Sequence, residues 1–231
     1  MDNELKSSVK KDSFDFMKVV NSCIEFIVSI VLHPVTALKE KIKNYSDFKS
    51  AGILVLFVSL AKVIINLVSR MISAVFVKQI NFFSNETKLD VSFDNLKNLD
   101  YFDLIVKQLF WSIAIVAFVG LVYYVVALVM KKNANYFRLV TISSVSFVTV
   151  FAVSIISTII SYIYEPLSIF LIIAAFVYSF LTFIHAIDNE IEFKDVDYKV
   201  FFHTICLTVV FVVSYYVLAN MVDTMITSLL K

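Results

Sequence analysis

The chain is poor in the residues from which most small catalytic and metal sites are built. Its 231 residues include two glycines, two prolines, two cysteines and three histidines. Gly52 and Gly120 alone cannot form the glycine-rich loop that holds a nucleotide phosphate. Cys23 and Cys206 lie far apart and belong to no CxxC pair, so a disulfide or a structural zinc site is not expected. We therefore expect no cofactor, no metal and no enzymatic activity.

Charge is also scarce, and the two signs nearly balance. Lys and Arg number 20 against 19 Asp and Glu, which gives a formal net charge of +1. Without a basic excess, binding to DNA or RNA is not expected. Apolar residues make up 60% of the chain and the mean hydropathy is +0.86. One water-soluble core cannot bury that much apolar surface, so the expected solvent is the lipid bilayer.

The apolar residues are concentrated in five long blocks. Blocks of about 18 or more residues match a hydrocarbon core about 30 Å thick. They predict transmembrane spans at 51–77, 104–130, 139–164, 167–187 and 200–222. The sequence therefore predicts an all-α fold, a polytopic membrane bundle of five transmembrane helices over residues 51–231.

The first 50 residues differ from the rest. Residues 1–13 are polar and predict a disordered tail. Residues 14–50 predict amphipathic helices that lie in the membrane interface, although a crossing by 14–32 stays open. In the first helix, polar residues recur at spacings of three and four and form one narrow stripe: Asp15, Lys18, Ser22, Glu25 and Ser29. Pro34 ends that helix, and a lysine-rich segment suited to an anionic leaflet follows it.

The distribution of Lys and Arg predicts the orientation. Positive residues favour cytoplasmic loops. They are frequent before the first span, in 131–138 and in 194–199, and they are outnumbered by acids in the loop 78–103, where apolar spacing indicates a helix leading into the second span. We therefore expect a multi-pass protein of the cell membrane with a cytoplasmic N-terminus and an external C-terminus.

Polar residues inside the predicted spans are the candidate functional residues, because ionisable groups at bilayer depth are costly. Lys62 is expected near the midplane, with Asn66 on the same helical face. Lys62 either binds a substrate or a proton, or it is a lysine that extends to the headgroups or makes a structural hydrogen bond. The second interpretation is favoured. Arg70 and Asp223 are expected at a similar outer depth. They form either an ion pair or, as favoured here, two charges that extend separately to the headgroups.

The histidines suggest a second hypothesis at the cytoplasmic surface. His185, Asp188 and the acids of 190–197 carry ligands that a cation accepts. The favoured interpretation is a solvated connector in which His185 and His203 are interfacial polar residues.

The layout as a whole resembles a known family. A polar start, the stretch HPVTALKEKIKN at 33–44 with Pro34, and five closely spaced spans are similar to the Yip family of Ypt/Rab-interacting membrane proteins, in its bacterial form. The resemblance covers roughly residues 20–230. It implies a five-span topology and, in eukaryotic members, a role in membrane trafficking through small GTPases or other family members. A bacterial relative has no Rab partner, so no functional residue is carried over.

These observations predict a non-enzymatic integral membrane protein that acts as a scaffold or as a subunit of a membrane complex, in membrane organisation or trafficking. Its expected partners are the lipid bilayer and other membrane proteins or further copies of itself. The alternative is a small transporter or channel subunit that uses the polar stripe around Lys62.

Overall fold

The computed structural model describes the backbone of residues 16–81, 86–193 and 195–229, with the side chains of 21–77, 89–193 and 195–217. The polar start predicted at 1–13 lies outside the described residues. Within them the elements are α1 Phe16–Leu32, α2 Pro34–Lys41, α3 Phe48–Val75, β1 Phe76–Asn81, β2 Glu86–Val91, α4 Gln108–Val129, α5 Tyr136–Val145, α6 Val148–Ser161, α7 Glu165–Ile191 and α8 Val196–Leu229. The all-α fold is confirmed.

Five stretches are long and apolar enough to cross a membrane. They are Phe48–Val75, Asp103–Val129, Tyr136–Ser161, Glu165–Ile191 and Val196–Val217. Each overlaps one predicted span, and most of them extend beyond it because the helices continue into their polar flanks. At the start of α3, for example, the carboxylate of Asp47 accepts hydrogen bonds from the backbone N–H groups of Lys49 and Ser50 at 2.9 and 3.0 Å. This cap begins α3 three residues before the apolar block.

The consecutive spans run in alternating directions, so their connections gather at two ends. At the first end, Asn135 donates to the backbone carbonyl of Ser46 at 3.0 Å, and Lys132 donates to that of Glu192 at 3.3 Å. These bonds bring together α2, the α4–α5 connection and the α7–α8 connection, and we call this the α2 end. The opposite end holds β1, β2 and the α6–α7 connection, and we call it the hairpin end.

The third span is the centre of the bundle, and it is two helices rather than the continuous one predicted. Helix α5 packs against α3, α4 and α7, while α6 packs against α3 and α7. The seven residues from Leu139 to Val145 are all buried. The chain departs from helical geometry at Phe147, whose φ and ψ are −95° and 6°. No proline or glycine is present there, so local sequence gave no sign of the break.

The predicted loop 78–103 is a β-hairpin followed by a short helical turn. Strands β1 and β2 pair antiparallel from Phe76 opposite Val91 to Asn81 opposite Glu86. The helix expected from the spacing of Leu96, Leu99 and Phe102 is present in two parts, the 3-10 helix Phe93–Asn98 and a helical stretch that begins at Tyr101 and continues through the π-helix Asp103–Lys107 into α4. The hairpin was not predicted, because the apolar residues of β1 do not alternate with polar residues and β2 has only six residues.

Helix α1 has three faces. Cys23, Phe26 and Ile30 are buried, and Phe26 stacks on Tyr45 with ring centroids 5.1 Å apart. Burial raises the pKa of the Cys23 thiol and raises that of Tyr45 to about 12, so both groups are protonated at neutral pH. A second face is apolar and exposed: Ile24, Val28, Val31 and Leu32. Ser22, Glu25 and Ser29 of the predicted polar stripe lie between these two faces, so α1 packs on the bundle while keeping a polar edge and an apolar edge.

A single glycine allows one very close helix contact. A Cβ atom added at Gly120 in α4 would lie 2.5 Å from Val140 Cγ2 and 2.9 Å from Val140 Cα in α5. One of these atoms is backbone, so a side-chain rotation cannot relieve the contact. Gly52, near the start of α3, would meet nothing within 4 Å. The close packing of α4 on α5 therefore requires a residue without a side chain at position 120.

We predict that Gly120→Ala lowers the free energy of unfolding by about 1–3 kcal/mol, because α4 and α5 must separate. The control Gly52→Ala should raise it by up to about 1 kcal/mol, since alanine is the better helix former. Both variants are compared with the original chain by unfolding the purified full-length protein in detergent micelles. Equal stabilisation by the two alanines would show that the close contact is absent.

Candidate functional site

The most concentrated buried charge in the described residues is centred on Asp188, near the end of α7. Its Oδ1 lies 2.8 Å from His203 Nε2, and its Oδ2 lies 2.6 Å from Lys199 Nζ. Because a carboxylate only accepts, Nε2–H of His203 donates this hydrogen bond. The side chains of Asp188 and His203 are only 11% and 9% exposed, while Lys199 is 39% exposed. One acidic group thus joins α7 to two positions on α8.

Aromatic rings surround this ionic cluster on its inner side. Tyr123 of α4 is fully buried, and its ring centroid lies 5.2 Å from that of Phe183, 5.6 Å from Phe202 and 5.8 Å from His203. Phe193, in the α7–α8 connection, lies 5.0 Å from Phe202. The hydroxyl of Tyr123 and Nδ1 of His203 are buried and have no hydrogen-bond partner among the described atoms. The rings exclude water and hold the imidazole in place.

A second ion pair links the start of α5 to the end of α7, next to the α4–α5 and α7–α8 connections. Arg138 Nη1 lies 3.3 Å from Glu190 Oε1, and the Glu190 side chain is 9% exposed. The side chain of Asn135 caps α5 by accepting from the backbone N–H of Arg138 at 3.2 Å. Both connections turn at a residue with left-handed backbone, Lys131 and Glu192. Charge pairing and tight turns therefore hold the α2 end together.

The structure corrects the histidine prediction. His185 is exposed on α7 and is not the residue that meets Asp188. His203 is buried and paired with Asp188, so it is not a solvated residue of the connector as expected. The contact depends on how α7 and α8 pack after a short connector: residues at similar distances on either side of such a turn face each other. The similar distance of Asp188 and His203 from the connector is the sequence signal for this contact, and the pattern of either helix alone does not show it.

The predicted intramembrane residues are not brought together in one site. Lys62 is half-buried at the middle of α3, and its Nζ lies 5.3 Å from the centre of the Phe151 ring of α6. Asn66 is half-buried one turn further along α3, and Arg70 is exposed. Asp223 lies in the α8 backbone, but its side chain is outside the described residues, so a pair with Arg70 stays a prediction. Among the described side chains, no carboxylate forms an ion pair with Lys62.

The arrangement favours structural and electrostatic roles. No three His, Cys, Asp or Glu side chains converge as a metal site in the part of the chain that the structure describes. Asp188 is held by two cationic or donor groups, and Glu190 by one. Comparisons with protein-family models, curated proteins and solved structures give no match.

We predict that Asp188→Asn lowers the free energy of unfolding by about 2 kcal/mol. Removing one partner of a fully buried ion pair costs about 3–5 kcal/mol, and the exposure of Lys199 reduces that figure. The control is Asp197→Asn, an exposed acid in the first turn of α8. Thermal unfolding of the purified protein should separate the two variants, and equal melting temperatures would contradict a role for Asp188 in holding α8.

Proposed function

We propose that the chain is a non-enzymatic subunit of a membrane complex, with the five-span architecture of Yip-like proteins, and that α8 is the helix that contacts a partner. The observation that supports this most directly is the position of α8. The other spans each pack along two or more helices, whereas the described part of α8 packs along α4 and reaches α7 only near the connector.

The apolar face of α8 is correspondingly open. Of its apolar stretch 17% is buried, against 22% in Glu165–Ile191 and 50% in Tyr136–Ser161. Large side chains of its outer half are exposed, among them Phe211 at 68% and Tyr215 at 70%. Tyrosine and phenylalanine provide large contact areas at low entropic cost, which suits a helix–helix interface with another membrane protein.

The transporter alternative has less support. Its central residue, Lys62, lies against the Phe151 ring in the contact between α3 and α6. A cation–π contact of this kind accounts for an intramembrane lysine without a substrate. The one cavity described below lies at the α2 end, and Lys62 is not among its lining residues.

A photoreactive amino acid at Tyr215 tests the proposal in native membranes. The matched control is Ile173 on α7, which is 57% exposed and lies at the same depth, about 27 Å from the α2 end at 1.5 Å per residue. We expect Tyr215 to give a discrete crosslinked protein band and Ile173 to give lipid adducts alone. Lipid adducts from both positions would contradict a partner on α8.

For the orientation we propose that the α2 end faces the cytoplasm. It carries Lys39, Lys41, Lys43, Lys131, Lys132 and Arg138, as the preference of positive residues for cytoplasmic loops requires.

A single cysteine in a cysteine-free chain tests this orientation in intact cells. The exposed residues Asn98, at the hairpin end, and Asn133, at the α2 end, provide the two positions. An impermeant thiol reagent should label the cysteine at Asn98 and leave the one at Asn133 unlabelled until the cells are opened. The reverse pattern would contradict the proposed orientation.

A further inference from the structure

A cavity of about 310 Å³ lies between the α2 segment and the end of α7. This volume is at the small end of the range for ligand pockets, which run from about 300 to 1,000 Å³. Its wall on the α2 side carries Lys39 and Lys43, and its wall on the α7 side carries acids and an amide. The polar lining residues on that second wall are Asp188, Asn189, Glu190 and Glu192, and the apolar floor consists of Leu38, Ile42, Ile142 and Ala186.

Two of the three acids are neutralised by groups that do not line the cavity. Asp188 is paired with Lys199 and His203, and Glu190 is paired with Arg138. Their charges are therefore balanced before anything enters the cavity.

The remaining charged groups have no such partners. None of the ion pairs among the described residues includes Lys39, Lys43 or Glu192. Lys39 and Lys43 from the α2 side and Glu192 from the α7 side all line the cavity and are exposed. The cavity thus presents two unpaired cations on one side and one unpaired carboxylate on the other.

Charge matching restricts the ligand. A simple anion would match the lysines and leave Glu192 unmatched, and a simple amine would do the opposite. A phosphate ester that carries a primary amine matches both walls at once, since a phosphate accepts from both lysines and an ammonium donates to Glu192. Leu32 and Val35, which precede the cavity residues of α2 in the sequence, are apolar and exposed, and they suit a hydrocarbon chain.

We propose that this cavity binds phosphoethanolamine chemistry, either as the headgroup of phosphatidylethanolamine in the bilayer or as a free phosphate ester. The site needs only the α2 end as described, so it does not depend on a partner at α8.

Native mass spectrometry of the purified full-length protein in micelles tests the lipid. The probes are phosphatidylethanolamine, phosphatidylcholine and phosphatidylglycerol with identical acyl chains. We expect the first to be retained about fivefold more tightly than the other two, because choline has no N–H to donate and glycerol has no positive charge.

Variants assign the two walls separately. The double substitution Lys39→Gln and Lys43→Gln should weaken retention of phosphatidylethanolamine and phosphatidylglycerol alike, about fivefold. Glu192→Gln should remove the preference for phosphatidylethanolamine over phosphatidylglycerol and leave the latter unchanged. The controls Lys97→Gln and Glu165→Gln change exposed charges at the hairpin end and should leave retention as it was. All variants should melt at the temperature of the original chain.

A thermal shift measurement in lipid-free micelles shows whether the ligand is the free phosphate ester or the lipid headgroup. A rise in melting temperature with millimolar phosphoethanolamine, absent with phosphate and ethanolamine added together, assigns the free ester. Selective lipid retention without that rise assigns the bilayer headgroup. Equal retention of the three lipids with no rise from phosphoethanolamine would overturn the proposal, as would unchanged retention in the double lysine variant.

Discussion

The hydrocarbon layer offers no hydrogen-bond partner, and the rest of this structure depends on how the chain meets that constraint. Within α6, Ser154 donates to the carbonyl of Phe151 and Thr158 donates to that of Ser154. Ser157 instead reaches across to α7, where its hydroxyl lies 2.8 Å from that of Ser168. These three hydroxyls are satisfied within a helix or between two neighbours, whereas those of Ser59, Ser144 and Ser179 are buried without a partner among the described atoms. The ion pairs are left to the ends of the helices, where water is available.

The break between α5 and α6 is placed where this constraint can be met. Interrupting a helix frees backbone groups, which lipid would leave without partners. The break at Phe147 follows the buried helix α5, which has α3, α4 and α7 around it. The backbone N–H of Ser146 still donates to Ile142, and that of Val150 donates to Phe147 in a tighter turn. A break facing lipid would lose this protection, so the central span is the place where a span can be two helices.

The apolar blocks were enough to predict five spans, because length and hydropathy are properties of each segment alone. They did not predict the contacts of Asp188, which require the pairing of α7 with α8, or the break at Phe147, which depends on neighbours far away in sequence. The hairpin was missed because only one of its two short strands shows the apolar alternation that predicts a strand. Local sequence therefore did not predict the contacts between segments that lie far apart in the chain. The polar residues that it did identify, Lys62 and Arg70, lie apart on α3 and do not form the cluster at the α2 end.

Asp188 belongs to two features of the α2 end, the ion pairs with α8 and the cavity beside α2. One face of its carboxylate holds His203 and Lys199 of α8, and the same residue lines the cavity beside α2. Because the described part of α8 packs along α4 and reaches α7 only near the connector, this carboxylate is one of the few described groups that fix α8 to α7. The rings of Tyr123 and Phe202 keep water from its inner side, which strengthens any electrostatic interaction there. A charge that enters the cavity therefore acts on the group that anchors the least buried span. The position of α8 and the contents of the cavity are coupled through one side chain.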